Sequence, residues 1–381
     1  MTVQHRFSAI LLALLALSVC VQPAWAYSDD RRTHIARATT AYQAMDGKFY
    51  DRHLYVEYDT SLGTDDYAVL WSYSRAMSAT LDAYELGIIG LDELRERISV
   101  IHAYQRHDRP IYQALVMPPF GRMDDVYYDD NAWIGLNLVR YYQLTGDAWA
   151  LSSAIQIFNT DILERGDEYG CSTGGLYWKE QKDGETNHDR ATITTATISL
   201  LGVRLYKITG DPHFWEWSKG ARTWLELYMA DPDTQLYHDK ISHACEIDAT
   251  IYSYSQGIMI GTYATLFEIT EDRGFLAVAE LLAERMLSEG RHRDQSIEGN
   301  AIYFKNLLVL SSVTSDARLK RKIRGTIARY ANALWENERR HRVPGLFYVD
   351  EESEWSMLLQ QASVVEILAL LGLDEARYRH L

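Results

Sequence analysis

The sequence predicts an all-α fold, an (α/α)6 barrel of six inner and six outer helices. Three observations support it. A motif recurs at intervals of about 60 residues, the period of one repeated supersecondary unit. Wholly apolar helical segments alternate with amphipathic ones. The chain after its N-terminal leader divides evenly into helical hairpins of about that length.

The first 26 residues differ from the rest of the chain. Arg6 provides a positive charge, residues 7–21 form an apolar run, and residues 24–26 (AWA) have small side chains at both ends. This is the pattern of a secretory signal peptide, and the run is short for a membrane span. We therefore expect residues 1–26 to be a cleaved signal peptide and residues 27–381 to form a single domain of a secreted or periplasmic protein.

The internal repeat indicates how the helices are arranged. Residues 138–147 (LVRYYQLTGD) resemble residues 201–211 (LGVRLYKITGD) and, more distantly, residues 263–272 (YATLFEITED). The segment before each turn is apolar almost all round, which is typical of a buried helix, and the segment after it is amphipathic. The turn glycine can end the first helix and the aspartate can cap the second.

Applied along the chain, this pattern predicts a closed ring. An open solenoid would need polar capping repeats, and the last inner segment, residues 364–371, is too apolar for a cap. Residues 191–198 (ATITTATI) favour a strand by propensity alone. Inner helices are predicted to start near Asp65, Asp129, Asp189, Tyr254, Asn300 and Glu354, and outer helices to cover residues 29–46, 91–106, 148–163, 213–229, 274–289 and 316–338.

Composition excludes several classes of partner. The net charge is −15, and loss of Arg6 with the leader makes it one unit more negative, so nucleic acid and anionic lipid would be repelled. Cys171 and Cys245 remain after the leader, and they could pair at the rim of the barrel in an oxidising compartment. No His or Cys residues stand at the spacing of a structural zinc site. We predict no metal and no cofactor, no membrane span, and a monomer.

All inner helices of such a barrel run in the same direction, so their N-termini meet at one rim. The residues there are carboxylates, amides and aromatic rings, which suit a sugar. A single aspartate at a helix start is equally explained as a cap, but repetition on one rim favours a binding site. The candidate sugar-binding residues are Asp66, Trp71, Asp125, Tyr128, Asn131, Trp133, Trp178, Asp189, Tyr254, Gln256 and Lys305.

Asp129 and Asp130 are the candidate catalytic pair because they stand on the first turn of a predicted inner helix. Glycoside hydrolysis needs one ionised and one protonated carboxyl group. Neighbouring positions at a helix start place two carboxyl groups roughly 5–6 Å apart, close to the separation of a retaining pair. The helix dipole favours ionisation of one of them, and its charge keeps the proton on the other.

These residues also carry a resemblance to a known family. Residues 128–133 (YDDNAW), followed by the first repeat motif, resemble the signature of glycoside hydrolase family 76, the endo-α-1,6-mannanases. Weaker similarities follow in the right order along the chain, so the resemblance covers about residues 64–350. They are residues 174–178 (GGLYW), 254–257 (YSQG), 304–305 (FK) and 335–337 (WEN).

The resemblance implies an (α/α)6 barrel and a retaining mechanism acting on an α-linked mannan. Asp129 would be the nucleophile and Asp130 the general acid/base. The sequence departs from the family pattern at residues 188–190 (HDR), Ser255 and Asn306, all at the expected rim. These changes leave the glycan open: α-1,6-mannan, a related α-linked glycan, or transfer to a second sugar by a cell-wall transglycosylase.

Two other classes of function share the predicted fold or rim. An unsaturated uronyl hydrolase would need basic residues in the mouth, where only Arg190 and Lys305 are candidates, and a sugar epimerase would favour several histidines, where only His188 is found. A non-catalytic glycan-binding protein could use the same aromatic rim. Only the intact pair of Asp129 and Asp130 argues against that last alternative.

Overall fold

A computed structural model describes residues 30–51, 53–59, 67–161, 174–181, 188–336, 343–349 and 353–381. Within these residues the chain is mainly helical, and the strands are only two residues long. The α-helices in chain order are α1 (Arg31–Phe49), α2 (Leu70–Glu85), α3 (Leu91–Ser99), α4 (Tyr128–Thr145), α5 (Ala148–Asp161), α6 (Thr192–Thr209), α7 (Pro212–Trp224), α8 (Ser253–Thr270), α9 (Arg273–Glu289), α10 (Ile297–Val313), α11 (Ala317–Glu336) and α12 (Leu358–Leu370).

The even-numbered helices form a closed inner ring. Each contacts the next one in chain order, and α12 packs against α2 to complete the circle. The odd-numbered helices lie outside, each packed on an inner neighbour, as α5 is on α4 and α9 is on α8. The inner helices are buried on nearly every side; all residues from Thr192 to Leu205 of α6 are buried. The predicted (α/α)6 barrel is therefore confirmed, and the open solenoid is excluded by the contact between α12 and α2.

The repeated turns do what the motif predicts. Gly146 and Gly210 end α4 and α6 in the left-handed conformation, with φ of 75° and 70°. The Asp211 carboxylate then caps α7 by accepting a hydrogen bond from the His213 backbone N–H at 2.9 Å. In the third repeat Glu271 takes the same left-handed conformation, with φ of 58°, although it carries the Cβ that makes this region unfavourable.

The β-branched segment forms a helix rather than a strand. Only Arg190–Ala191 is extended, and α6 begins at Thr192. The Thr195 and Thr197 hydroxyls donate hydrogen bonds to carbonyls four residues earlier, which satisfies these polar groups inside the buried helix. Burial in the ring therefore outweighs the strand propensity of this segment.

Two small antiparallel sheets are formed by segments that connect the helices of the barrel. One joins β1 (Tyr50–Asp51) to β2 (Leu54–Tyr55) after α1. The other has β3 (Arg190–Ala191) paired with β4 (Lys240–Ile241), which in turn pairs with β5 (Ile247–Asp248). Because β3 leads directly into α6, this second sheet folds the segment between α7 and α8 over the N-terminal rim of the inner ring.

The predicted helix starts agree with the structure to within a few residues. The largest difference is at the first inner helix, predicted near Asp65, which begins at Leu70 after an extended Val69 whose backbone N–H is bound by Glu57. No helix in the described ranges is both long enough and apolar enough to cross a bilayer. The predicted signal peptide (residues 1–26) lies outside the described residues.

Candidate active site

An open cleft of about 490 Å³ lies at the N-terminal rim of the inner ring. Five inner helices, or the residues directly before them, contribute to its walls, and the loop that carries β4 closes one side. Among the described residues, the lining consists of Trp71, Tyr127, Asp129, Asp130, Trp133, Trp178, Asp189, Ala191, Ile193, Asp239, Lys240, Tyr252, Tyr254, Ser296 and Glu298.

Asp129 and Asp130 lie in this cleft on the first turn of α4. The Asp129 carboxylate accepts two hydrogen bonds, from the Asp130 backbone N–H at 3.1 Å and from the Trp178 indole Nε1–H at 3.2 Å. Both donors favour the ionised form of this carboxyl group. The two neighbouring aspartates therefore have different hydrogen-bond environments, although they are the same type of residue.

The two carboxyl groups also differ in acidity. Burial raises the pKa of Asp129 to about 6, while the hydrogen bonds from Trp178 and the backbone act in the opposite direction. Burial and then the negative charge of Asp129 raise the pKa of Asp130 well above its ordinary value. The pair therefore loses one proton near pH 6 and retains the other, so that an ionised carboxylate stands beside a protonated carboxylic acid at neutral pH.

A third carboxyl group of the cleft, Asp239, was not predicted from the sequence. Its backbone carbonyl accepts a hydrogen bond from Thr192 at 2.8 Å, and its N–H donates to the Asp248 carbonyl at 3.0 Å, which fixes it over the start of α6. Burial and the nearby Asp248 raise its pKa to about 6, against the opposing effect of Lys240. Asp239 stands in a loop outside the helical repeat, so no periodicity marks it.

Aromatic pairs form much of the cleft wall. Trp71 and Trp133 have ring centroids 5.8 Å apart at 42°, and Tyr252 stacks on Tyr254 at 5.0 Å and 10°. Trp178 is 41% exposed and lies 5.0 Å from the Tyr127 ring. Tyr127 and Tyr252 also line the cleft. They stand within two residues of predicted inner-helix starts but are not among the candidate sugar-binding residues.

Of the predicted sugar-binding residues, five line the cleft: Trp71, Trp133, Trp178, Asp189 and Tyr254. Asp66 lies outside the described residues.

Five predicted residues do not line the cleft: Asp125, Tyr128, Asn131, Gln256 and Lys305. Asp125 lies near the rim, where Lys179 approaches its carboxylate at 3.3 Å. The Tyr128 side chain is fully buried and packs with Ile111 and Val126.

Asn131 and Gln256 are buried clamps rather than cleft residues. The Asn131 carboxamide accepts a hydrogen bond from the Tyr112 N–H at 2.9 Å and donates one to the Tyr112 carbonyl at 2.8 Å. Gln256 binds the N–H and the carbonyl of Tyr237 in the same way, at 2.9 and 2.8 Å. Each amide holds a residue 19 positions earlier in the chain, which accounts for its place in the repeat without a sugar.

The same clamp position recurs elsewhere in the ring. Asn131 and Gln256 are the fourth residues of α4 and α8, and Asn300 and Gln361 are the fourth residues of α10 and α12. The Gln361 carboxamide accepts from the Phe347 N–H at 2.9 Å and donates to two carbonyls. A buried amide at the fourth position is thus a feature of four of the six inner helices, and the sequence cannot separate it from a rim ligand.

Lys305 lies inside the barrel, below the rim. Its ammonium group donates hydrogen bonds of 2.7 Å to the Ser78 hydroxyl and to the Glu366 carboxylate, and it lies 3.3 Å from Asp82. Lys240 supplies the positive charge of the cleft lining in the described residues, and Asp189 neutralises it through an ion pair of 2.7 Å. The predicted role of Lys305 at the mouth is therefore replaced by a role in the core.

Comparison with known proteins identifies the family. The sequence model of glycosyl hydrolase family 76 matches residues 33–377. The chain belongs to glycosyl hydrolase family 76. A search of curated proteins finds no match.

Solved structures share the fold of this family 76 chain. A family 76 mannosidase from Bacteroides thetaiotaomicron has a TM-score of 0.75 and 19% identity, with 89% of this chain and 98% of that chain covered. An α-1,6-mannanase of Salegentibacter sp. has a TM-score of 0.73 and 18% identity, with 89% and 99% covered. The second structure is an inactive variant with two consecutive aspartates replaced by asparagines, in complex with α-1,6-mannotriose.

The chemistry available to this family 76 protein follows from its cleft. A carboxylate that accepts hydrogen bonds can attack an electrophilic carbon, and a neighbouring carboxylic acid can protonate a departing oxygen.

Cys245, on the loop between β4 and β5, is disulfide-bonded. Cys171 lies outside the described residues, so the pairing of these two cysteines stays a prediction.

Proposed function

We propose that this protein is a secreted retaining endo-glycosidase that cleaves α-1,6-mannan, or a closely related α-mannoside glycan, through a covalent glycosyl-aspartate. The observation that carries the proposal is the adjacent pair of Asp129 and Asp130 in one aromatic cleft, where the charge of Asp129 adds to burial in raising the pKa of Asp130. Retaining glycosidases use one ionised and one protonated carboxyl group, and this pair supplies both near neutral pH.

The reaction proceeds in two displacements. The Asp129 carboxylate attacks the anomeric carbon while Asp130 donates its proton to the departing glycosidic oxygen, which leaves as a hydroxyl group. Asp130, now ionised, accepts a proton from a water molecule whose oxygen attacks the same carbon. The bond to Asp129 breaks, so both carboxyl groups return to their starting forms and the anomeric configuration is retained.

The charges of the cleft favour a neutral glycan. Among the described residues five carboxyl groups and one lysine line it, and that lysine is paired with Asp189. Arg190 is fully buried and Lys305 lies in the core, so neither provides the basic mouth that a uronyl substrate would need. The complex of the Salegentibacter mannanase with α-1,6-mannotriose supports a mannan as the first substrate to test.

Export is part of the proposal. Residues 1–26 carry the signal-peptide pattern described above. The disulfide at Cys245 supports an oxidising compartment, because reducing cytosol keeps most thiols unpaired.

The test is product analysis on linear α-1,6-mannan, with wild type beside Asp129→Asn and Asp130→Asn. We expect wild type to release short manno-oligosaccharides whose new reducing end first appears, by NMR, in the α configuration. Both variants should release none within the same time. Release of the β anomer first would contradict the retaining mechanism.

The same assay separates the alternatives. Longer products in the presence of a mannoside acceptor, at the expense of free reducing ends, would indicate a transglycosylase. Binding of the polymer without any change in its length, in wild type and variants alike, would indicate a glycan-binding protein.

A further inference from the structure

Two indole rings form a continuous part of the cleft wall. Trp71 comes from α2 and Trp133 from α4, and their ring centroids are 5.8 Å apart. Trp133 lines the cleft and also a small cavity of about 40 Å³ inside the barrel. Trp133 therefore lies between the cleft and the interior of the barrel.

Arg75 contacts both indoles. It stands one helical turn after Trp71 on α2, and its side chain is only 4% exposed. Its guanidinium carbon lies 5.4 Å from the Trp71 ring centroid and 5.3 Å from that of Trp133. Arg75 also lines the small interior cavity but not the cleft, so it approaches the rings from the protein side.

Few other groups compete for this guanidinium. Its ion-pair partner is Glu366, at 3.5 Å from the Arg75 Nη1 atom. The Arg75 Nε atom is buried and makes no hydrogen bond with the part of the chain that the structure describes. A buried guanidinium with so few hydrogen bonds is stabilised in part by the aromatic faces beside it.

Glu366 itself is rigidly held. Its Oε2 atom accepts hydrogen bonds of 2.7 Å from the Ser78 hydroxyl and from the Lys305 ammonium group. A chain of fixed contacts thus leads from the core of the barrel through Glu366 and Arg75 to the two rings that face the cleft.

We propose that Arg75 is a positioning residue that fixes Trp71 and Trp133 as one rigid stacking surface for a sugar ring. It acts from beneath the surface and does not touch the sugar. A surface whose rings are already immobilised loses less conformational freedom when the sugar binds, so affinity rises. The inference rests on the proposed function in one respect, that the ligand of the cleft is a glycan.

The arrangement requires arginine rather than any cation. A planar guanidinium can lie against two aromatic faces and keep an ion pair at its edge, whereas a lysine ammonium is a compact point charge that does neither as well. Arg75→Lys therefore keeps the charge that Glu366 needs while it loosens the rings.

The experiment measures binding of linear α-1,6-manno-oligosaccharides by calorimetry in the full-length protein made inactive by Asp130→Asn. Arg75→Met and Arg75→Lys are compared with the unchanged position in that background. We expect the dissociation constant to rise about 2- to 13-fold in Arg75→Met, the cost of immobilising one side chain on binding, and less in Arg75→Lys. In the active protein, KM should rise by a larger factor than kcat falls.

The second part of the experiment, the spectroscopic arm, needs no ligand. Near-UV circular dichroism and tryptophan emission of Arg75→Met should change because two indoles lose their fixed environment. The matched control is Arg222→Met on α7, where a guanidinium lies 5.0 Å from the Phe275 ring and neither residue lines the cleft. That variant should leave the dissociation constant unchanged.

The proposal is overturned if folded Arg75→Met binds the oligosaccharide as tightly as the unchanged background and keeps its near-UV spectrum. If Arg75→Met does not fold, Arg75→Lys decides: unchanged affinity and spectrum overturn the idea, and weaker binding with an altered spectrum supports it. If the parent protein binds no manno-oligosaccharide, the proposed function fails, and the spectroscopic arm still tests the positioning of the rings.

Discussion

The mouth of the barrel and its interior both contain clusters of acidic side chains, but they use them in opposite ways. In the interior, Asp82 and Glu366 are completely buried and each contacts a cation. In the mouth, Asp129 and Asp130 adjoin each other, and no lysine or arginine among the described residues forms an ion pair with either. The interior acids are thus fully buried and paired with cations, whereas Asp129 and Asp130 are half-buried and adjoin each other.

The consequences appear in the acidity of the groups. Burial acts to lower the pKa of Arg140, but the nearby Asp82 and Glu85 outweigh it and raise that pKa above its ordinary value. Arg204 shows what burial does with less compensation: its pKa falls to about 10, through burial first and then the charge of Arg140. In the mouth, by contrast, burial raises the pKa values of Asp129 and Asp239 to about 6, in the working range of acid–base catalysis, and raises that of Asp130 further.

The largest expected effect concerns activity in the mouth. Asp130→Asn removes the proposed general acid and, if α-1,6-mannan is the substrate as proposed, should reduce kcat by about 1,000-fold or more. The melting temperature should stay the same or rise, because the variant removes repulsion between two carboxyl groups. Thermal unfolding beside the activity assay checks both expectations. If the variant loses activity and also several degrees of melting temperature, Asp130 contributes to stability as the interior acids do, and the contrast between the two regions is wrong.

The interior counterpart should show the reverse pattern. Asp82→Asn leaves Arg140 and Lys305 without one of their partners, and loss of a buried ion-pair partner costs about 3–5 kcal/mol. Chemical denaturation should show this loss in the free energy of unfolding, while kcat of the folded fraction remains close to that of wild type. A stable but inactive variant would mean that the interior charges take part in catalysis.

A smaller effect is expected where the core supports the mouth. Gln256→Met keeps the volume of the side chain but leaves the N–H and carbonyl of Tyr237 without their partner, which should cost about 1–3 kcal/mol of stability. Because Tyr237 precedes Asp239 by two residues, KM should also rise. An unchanged KM, with the predicted loss in denaturation experiments, would show that the clamp stabilises the fold without placing Asp239.

The smallest expected effect is a pH-dependent change in stability. The pKa of Asp129 is raised from 3.8 to about 6 in the folded protein, so the folded state holds this proton more tightly than the unfolded chain. Wild type therefore loses stability as the pH rises from about 4 through about 6, and Asp129→Asn does not lose this part. At pH 7.5 the melting temperature of the variant should be on the order of 1–3 °C above that of wild type. At pH 4 the two melting temperatures should be equal.

Ionisation of Asp129 should lower stability, as described above, but it should raise activity. For wild type, kcat/KM should rise as the pH passes about 6, when Asp129 ionises, and should fall only at higher pH, when Asp130 loses its proton. An acidic limb centred near pH 4 would show that Asp129 is not the group that must ionise.

Much of this protein could be predicted from its sequence because the information is periodic. The recurring turn, the apolar segments of α4, α6 and α8, and the amphipathic segments after them determine the helices and their order. The first-turn positions of Asp129 and Asp130 follow from the same pattern. These are local properties of the chain, so they need no knowledge of contacts that are distant in sequence.

Only the tertiary structure decided which polar residues face the cleft. Asn131 and Asp130 are neighbours at a helix start, yet one is a buried clamp and the other lines the cleft, because successive positions on a helix point about 100° apart and the ring determines which direction is the mouth. Asp239 reaches the site only because β4 pairs with β3, more than a helical hairpin away in sequence. The acidity of Asp129 likewise depends on burial and on the hydrogen bond from Trp178, and both arise only when the ring has closed.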